Sequence, residues 1–458
     1  MRWLGFIALV WLSACQVSKK PDLAKLYQPH GTDHSNTPLV LIHGTMGSKL
    51  RHKVTGDELW PGKINQLIFS NYRQLANVID PQHIKVMDHD IESYAIFDSY
   101  SGLSVYDEII KTLTTYGGYQ ENTVAGQALP GRNLYVFHYD WRQDNVVNAG
   151  HLASFIEQVL AQHPEHQQLD VVAHSMGGLI LRYYQRFGGL DVLPAIEQSV
   201  NSGLTEAAFT QHPQDHLIRH AIFLGTPQLG SVKSVARLQH GFDFNLRNVP
   251  VEVQVTMPSV YQLLPHPDSS WAVDEQGKAL NLDVFDPHLW QQNQWSVYDP
   301  KVQERIIKDA ETEESGQLQL RTLQRFFAAQ LSRARAFWLS LSPQYDIDHE
   351  GYVIMGGDCD RTLNRLIVQD VEGRNIILDD IRMSDAYPTR ASQKEWLYAP
   401  GDGQVSKASL LGQIHDPVTH QTLHTLRIRY PVFVCENHIK LTQNITFQDN
   451  LLHILLNE

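Results

Sequence analysis

The sequence predicts an α/β fold with a mostly parallel central sheet. Six short runs, rich in β-branched and aromatic residues, support this prediction because strands buried on both faces are apolar throughout. They are residues 38–42, 133–139, 169–174, 218–224, 352–357 and 429–435. Helical or long polar segments separate the runs. Connections of this length join parallel strands, whereas short turns join the antiparallel strands of a hairpin.

One of these runs ends at a serine, and this feature reduces the number of α/β folds that fit the sequence. Residues 169–174 lead into Ala173-His174-Ser175-Met176-Gly177, and a helical pattern then continues as far as Gly188-Gly189. The five-residue pattern alone is weak, but a strand before it and a helix after it are typical of a nucleophile elbow. The sequence therefore predicts an α/β-hydrolase fold with Ser175 as the nucleophile.

Two regions depart from the parallel pattern. Residues 231–345 contain four tryptophans and lack strand signals, which predicts an inserted cap. Residues 364–383 form two alternating runs around Val371-Glu372-Gly373-Arg374, which predicts an antiparallel hairpin appended near the end of the sheet. Because the candidate catalytic residues are spread along the chain, we expect one catalytic domain over residues 38–458.

The first residues have the pattern of a lipoprotein signal. Arg2 precedes an apolar stretch that ends in Leu12-Ser13-Ala14-Cys15, and this stretch is shorter than the ~20 residues of a spanning helix. We expect a signal peptide over residues 1–14, a lipidated Cys15 that attaches the protein to a membrane, and a tether over residues 15–37. Gln16, in place of an aspartate, favours the outer membrane of a bacterial cell envelope.

Composition excludes some partners. The net charge is −13, and removal of residues 1–14, which contain only Arg2 as a charged side chain, makes it −14. An acidic chain repels phosphate backbones, so no nucleic-acid partner is expected. No metal-ligand spacing, nucleotide loop or haem motif is present, and no metal or cofactor is expected. Cys359 and Cys435 fall at predicted neighbouring strand ends, either bridged or as two buried thiols.

A serine nucleophile needs a base and an acid, which follow it along the chain in the order acid, then histidine, in this fold. His438 comes directly after the last predicted strand and is preferred as the base to His453. Two residues compete as the acid. Asp358 directly follows the run 352–357 and is favoured by topology, whereas Asp402 lies in Gly401-Asp402-Gly403, a sequence that also suits a plain turn.

The oxyanion donors are expected at the elbow and after the first strand. The backbone N–H of Met176 is the first donor, and the glycine-rich segment from His43 to Gly47 supplies the second. The residues alone leave the second donor open between Thr45 and Met46.

Together, these segments resemble the lecithin:cholesterol acyltransferase family, which also contains phospholipases and phospholipid:diacylglycerol acyltransferases. The resemblance spans residues 38–441 and is carried by the elbow and by three further motifs, Tyr139-Asp140-Trp141-Arg142, residues 224–231 and residues 258–265. It implies that Asp402 is the acid, His438 the base and Met46 the second oxyanion donor.

The chain departs from the family at two places. His43 stands where the family often has proline, and no cysteine between Gly44 and Tyr106 can close a lid loop by a disulfide. The aromatic segment from Leu59 to Phe69 is either a mobile lid or lipid-contacting loop, or part of the core.

The resemblance implies serine-dependent acyl-ester chemistry on a lipid. An acyl-serine would be resolved by water, as in a lipase or phospholipase, or by the hydroxyl of a sterol or glyceride, as in an O-acyltransferase. Two alternatives are a carboxylesterase for small soluble esters and a non-catalytic surface lipoprotein. The sequence leaves the oligomeric state open.

Overall fold

Seven parallel strands form the central sheet of the computed structural model. The α/β prediction is confirmed, and each of the six predicted runs contains a strand. The seventh strand, Tyr119–Asn122, is a polar edge strand that the apolar pattern did not predict. The strands are β1 (Leu39–Ile42), β2 (Tyr119–Asn122), β3 (Arg132–Phe137), β4 (Leu169–His174), β5 (Ile218–Leu224), β6 (Tyr352–Gly357) and β7 (Ile428–Val434).

The structure describes residues 20–27, 36–62, 72–87, 90–100, 103–202, 210–244, 247–347, 351–378, 395–416, 419 and 421–458. The predicted signal peptide and Cys15 lie outside these residues. So do the later part of the aromatic segment, residues 63–69, and the end of the predicted hairpin, residues 379–383.

The strand order places the first and fourth strands side by side at the centre of the sheet. Across the sheet the order is β7-β6-β5-β4-β1-β3-β2. Ile42 at the end of β1 is level with Ala173 near the end of β4. Since ligands of open α/β sheets bind at the carboxyl ends of strands where the order reverses, this pair marks the expected site.

Helices cover both faces of the sheet. Leu39 and Leu41 point into one apolar cluster with the helices Asp107–Thr115 and Ile445–Asn457, whereas Val40 and Ile42 point into the other with the helices Asn145–Gln162 and Met176–Phe187. The alternation explains why β1 is apolar throughout. The helices are α1 (Asp107–Thr115), α2 (Asn145–Gln162), α3 (Met176–Phe187), α4 (Leu193–Asn201), α5 (Lys233–His240), α6 (Pro300–Lys308), α7 (Glu313–Ser340) and α8 (Ile445–Asn457).

The segment 231–345 packs over the sheet and shares a hydrophobic cluster with it. Its four tryptophans are buried. Although the segment lacks strand signals in the sequence, it contains short strands, which pair with one another or with the later strand Leu366–Val371. In addition to α5–α7 it contains Phe242–Phe244, Arg247–Val249, Ala272–Val273, Val251–Gln254, Pro258–Tyr261 and Pro287–Gln292.

The predicted hairpin exists, but its predicted position is wrong. Leu366–Val371 and Arg374–Leu378 pair in antiparallel fashion. The hairpin does not join the central sheet, because its first strand pairs with Ala272–Val273 in a separate three-stranded sheet. The hairpin therefore belongs with the cap segment.

Small strand pairs and short helices complete the described chain. Ser48–His52 lies between Glu58–Trp60 and Ile91–Ile96 in a second three-stranded sheet. The other pairs are Ile79–Asp80 with Lys85–Val86, Ser99–Tyr100 with Leu103–Ser104, Asp360–Leu363 with Tyr398–Gly401, and Ile414–His415 with Thr422–His424; the short helices are Leu23–Leu26 and Lys407–Leu410.

Two buried arginines of α3 attach the elbow helix to the cap. Arg182 donates to the carbonyl of Leu341 at 2.7 Å, and Arg186 donates to the carbonyl of Ser340 at 2.7 Å. These carbonyls lie at the carboxyl end of α7, where unpaired carbonyls and the helix dipole favour a cation. Arg186 also forms an ion pair with Asp346 at 2.7 Å. The same helix therefore follows the nucleophile and holds the cap.

Part of the predicted tether packs against the sheet's outer layer. Leu23 is buried, and the hydroxyl of Tyr27 donates to the carboxylate of Asp449 on α8 at 2.7 Å. No helix in the described part of the chain combines the length and apolar character needed to cross a bilayer.

Candidate active site

Ser175 occupies a strained turn between β4 and α3. Its φ is 54°, in a left-handed region of backbone conformation that residues other than glycine rarely adopt. The chain can turn this sharply because Gly177 and Gly178, which follow Met176, pack closely without side chains. A Cβ on Gly177 would lie 2.3 Å from the carbonyl oxygen of His43, and one on Gly178 would lie 2.1 Å from the hydroxyl of Thr226.

The structure brings Ser175, His438 and Asp402 together. The Ser175 hydroxyl lies 3.1 Å from Nε2 of His438, and Nδ1 of His438 lies 2.7 Å from Oδ2 of Asp402. Asp402 is fully buried, and His438 is 9% exposed. With the proton on Nδ1 donated to Asp402, Nε2 is free to accept the proton of Ser175.

Asp402 is held in the charged form by its hydrogen bonds. Its Oδ1 accepts from the amides of Val405 at 2.7 Å and Gln404 at 2.9 Å. Burial alone would raise the pKa of Asp402, but His438 and these amides together outweigh burial, so that the pKa lies below its usual value. The carboxylate can therefore orient and stabilise a charged imidazole.

A small strand pair positions Asp402 beside the end of β6. The chain leaves β6 at Gly357, continues into Asp360–Leu363, and that strand pairs with Tyr398–Gly401. The pairing returns Asp402 to the end of β6, where a Cβ on Gly357 would lie 3.0 Å from its Cβ. Asp358 instead forms an ion pair with Lys407 at 2.8 Å. Topology thus predicted the place of the acid correctly but favoured the wrong residue for contact with His438.

A disulfide joins Cys359 to Cys435. The register of the last two strands explains the bridge, since Gly357 on β6 is level with Val434 on β7. Of the two possibilities left by the sequence, the bridged one is therefore observed. The bond ties the chain after β6 to the segment that carries His438.

The segment after β1 forms a tight turn beside the nucleophile. The amide of Gly47 donates to the carbonyl of Gly44 at 3.1 Å, and Met46 adopts a φ of 61°. The hydroxyl of Thr45 lies 3.4 Å from the sulfur of Met176. Neither Met46 nor Met176 uses its amide in a hydrogen bond within the described residues. Both amides are therefore available to an oxyanion.

His43 stabilises this turn from the protein interior. It is fully buried and stacks on the ring of Tyr139 at a centroid distance of 4.1 Å. Burial lowers the pKa of His43 to about 3, so the imidazole is neutral. Its Nδ1 donates to the carbonyl of Gly44 at 2.7 Å, and its Nε2 accepts from the amide of Tyr139 at 3.2 Å. The residue that departs from the family pattern thus has a structural role.

Ser175 and His438 open onto an apolar cavity of about 210 Å³. Trp60 is buried in its wall, which makes the first part of the aromatic segment a component of the core. Two basic residues of α5, Lys233 and Arg237, also line the cavity, together with polar residues that include Thr45, Ser231, Ser234 and Gln404. The apolar lining residues include Met46, Trp60, Phe97, Val105, Leu263, Val405 and Ile439.

Comparison with known families supports the predicted resemblance. A sequence model described as lecithin:cholesterol acyltransferase matches residues 65–341, which is more than half of the chain. The chain belongs to the lecithin:cholesterol acyltransferase family. The matched span contains Ser175 and most of the segment 231–345, whereas Asp402 and His438 follow it.

Individual relatives are distant. An uncharacterized protein of Saccharomyces cerevisiae is 22% identical over 253 residues, which cover 55% of this chain and 32% of that protein. The match thus spans about a third of the length of the curated relative.

A solved structure shares the fold. A chain in the Tle4–Tli4 complex aligns with a TM-score of 0.53 and 16% identity, covering 92% of this chain and 98% of that chain. This alignment and the parallel sheet show the α/β-hydrolase fold. The lipase of Staphylococcus hyicus aligns with a TM-score of 0.32 and 13% identity, covering 92% of this chain and 94% of the lipase.

Four residues around the cavity were not predicted from the sequence. Lys233 and Arg237 lie four positions apart on α5. This spacing places both on one helix face and is visible in the sequence. His174 and Tyr106 had no comparable signal, since contacts between distant segments decide their positions.

The two candidate acids can be compared directly. We expect Asp402→Asn to lower kcat on an acyl ester by about 10⁴-fold, because an amide cannot hold His438 in the required tautomer. Asp358→Asn removes a surface ion pair and serves as the matched control, with kcat within about twofold of wild type. Steady-state hydrolysis of a chromogenic ester measures both, and loss of activity in the Asp358 variant alone would reverse the assignment.

Proposed function

We propose that this protein transfers acyl groups from phospholipid esters through an acyl-serine intermediate. The observation that carries the proposal is the unbroken chain of hydrogen bonds from Ser175 through His438 to Asp402 at the mouth of an apolar cavity. Such an arrangement activates a serine hydroxyl, and the apolar wall suits a fatty acyl chain.

The first half of the reaction forms the intermediate. His438 Nε2 takes the proton of Ser175 while the Ser175 oxygen bonds to the ester carbon, and the former carbonyl oxygen becomes negative. The amides of Met46 and Met176 donate to that oxygen. When the carbonyl re-forms, the bond to the alcohol oxygen breaks, and His438 gives its proton to the departing alcohol. The acyl group is then an ester of Ser175.

The second half returns the serine. His438 removes a proton from water or from an acceptor hydroxyl, whose oxygen bonds to the acyl carbon. The bond to the Ser175 oxygen then breaks, and His438 returns the proton to that oxygen. Water gives a free fatty acid, whereas a sterol or glyceride hydroxyl gives a new ester. The apolar wall formed by Trp60, Phe97 and Leu263 favours an alcohol acceptor, because it limits the water near the acyl-serine.

Two cations in the cavity wall support a phospholipid rather than a neutral glyceride. Lys233 donates to the carbonyl of Gly403 at 2.6 Å, and Arg237 donates to the side-chain oxygen of Gln404 at 3.3 Å. Among the described residues, neither cation forms an ion pair with a carboxylate, and Asp402 acts on Lys233 only from a longer distance. A phosphate beside the acyl ester would supply the missing negative charge.

Removal of the nucleophile tests the reaction. We expect Ser175→Ala to lower acyl release from phospholipid vesicles by about 10⁴-fold or more without a change in melting temperature. Ser199→Ala on α4 is the matched control, since the buried Ser199 hydroxyl donates only to the helix carbonyl of Ala195. The assay separates lipid products on defined vesicles with and without a sterol.

Three results would contradict the proposal. They are full activity of the Ser175 variant, absence of covalent labelling of Ser175 by a fluorophosphonate, and activity confined to short soluble esters. The last result would instead identify a carboxylesterase.

The charge on Lys233 predicts a pH dependence. Burial, followed by the nearby charge of Arg237, lowers the pKa of Lys233 to about 8. The lysine is therefore charged at pH 7 and mostly neutral at pH 9. We expect KM for phosphatidylglycerol to rise roughly three- to tenfold over this interval, and we expect Lys233→Arg to suppress the rise because arginine stays charged.

A neutral substrate provides the control for this pH series. Diacylglycerol with the same acyl chains should show no comparable rise in KM. An equal rise for both lipids, or an unchanged rise in the arginine variant, would rule out a role for Lys233 in binding the phosphate.

We also propose that Cys15 is lipidated and attaches the protein to the bacterial outer membrane. The sequence Leu12-Ser13-Ala14-Cys15 supports this proposal. Metabolic labelling with an alkyne fatty acid should mark the wild type and the nearby control Ser18→Ala but not Cys15→Ser, and only the unlabelled variant should leave the membrane fraction. A label retained on Cys15→Ser would refute the proposal.

A further inference from the structure

The hydroxyl of Tyr106 links two parts of the active site that are far apart in sequence. It accepts a hydrogen bond from the amide of Gly44 at 2.8 Å and lies 2.6 Å from Nδ1 of His174. Tyr106 and His174 are 2% and 8% exposed. Gly44 begins the turn that contains Met46, and His174 directly precedes Ser175.

The direction of these hydrogen bonds follows from the groups involved. Because the Tyr106 oxygen accepts from Gly44, its single proton is available for Nδ1 of His174. Burial raises the pKa of Tyr106, so the hydroxyl keeps this proton. Burial and, next, the charge of His438 lower the pKa of His174 to about 3, so its ring is neutral and carries its proton on Nε2.

His174 also lies against the catalytic histidine. The ring centroids of His174 and His438 are 5.0 Å apart. A positive charge on His174 would oppose the imidazolium that His438 becomes during acyl transfer. In addition, the hydroxyl of Thr442 donates to the carbonyl of Val105 at 3.3 Å, so the residue before Tyr106 contacts the segment after His438.

We propose that Tyr106 is a positioning residue for acyl transfer, which holds the oxyanion turn at Gly44 against the nucleophile strand through His174. This inference rests on the function proposed above. Oxyanion donors act only when they are held within tenths of an ångström of the developing charge. Without the Tyr106 hydroxyl, the Gly44 amide and Nδ1 of His174 would be buried without partners, and the turn would shift to find others.

Removal of this hydroxyl should affect turnover more than binding. We expect Tyr106→Phe to lower kcat about 10- to 100-fold with KM within about twofold, because the turn stabilises the transition state rather than the bound ester. Tyr183→Phe is the matched control. The buried Tyr183 hydroxyl donates to Leu190 at 3.0 Å and accepts from Val192 at 3.1 Å, so it also makes two hydrogen bonds, but it lies away from the cavity.

Variants of His174 separate positioning from simple loss of packing. His174→Asn places a carbonyl oxygen where Nδ1 was and should keep kcat within about fivefold of wild type. His174→Leu removes the acceptor and should match Tyr106→Phe. If the two residues act as one unit, the kcat of the double variant Tyr106→Phe/His174→Leu will be no lower than that of the less active single variant.

The rate at which a fluorophosphonate labels Ser175 provides a second readout that needs no lipid. It should fall in Tyr106→Phe and stay unchanged in Tyr183→Phe. Equal losses of kcat and melting temperature in these two variants, unchanged kcat in Tyr106→Phe, or independent effects in the double variant would overturn the inference. A wild type that labels rapidly but releases no acyl group from phospholipids contradicts the proposed function alone, and the labelling rates then decide the role of Tyr106.

Discussion

The register between β1 and β4 is the constraint on which the site depends. With Ile42 level with Ala173, the turn after β1 meets the elbow after β4, and a Cβ on Gly44 would lie only 2.6 Å from the Cβ of Ser175. A shift by one residue would exchange Leu39 and Leu41 with Val40 and Ile42 between the two close-packed clusters, where side chains of different shape would meet the wrong neighbours. Core burial therefore fixes the distance between the nucleophile and the oxyanion turn, and the glycines make that distance sterically possible.

The apolar strands and the elbow could be predicted because their signals are local. Strands buried on both faces are apolar, and Ser175 between a strand and a helix leaves a pattern within a few residues. The edge strand β2 was missed because it is largely polar. Asp402 could be distinguished from Asp358 only through the family resemblance, since its position depends on the pairing of Asp360–Leu363 with Tyr398–Gly401.

Contacts between distant segments account for the remaining differences. The hairpin was recognised, but its partner strand, Ala272–Val273, is two residues long and leaves almost no pattern in the sequence. Tyr106 reaches Gly44 and His174 across the sheet, and no spacing along the chain reveals such a contact. Pairing partners of this kind depend on tertiary packing, so a single sequence indicates the elements better than their neighbours.

The attachment of the cap to the elbow helix limits how a bulky lipid can reach the cavity. Arg182 and Arg186 connect α3 to the end of α7 in the interior, where breaking such bonds leaves charged groups without partners. Movement of the carboxyl end of α7 away from α3 would therefore disturb the helix that directly follows the nucleophile.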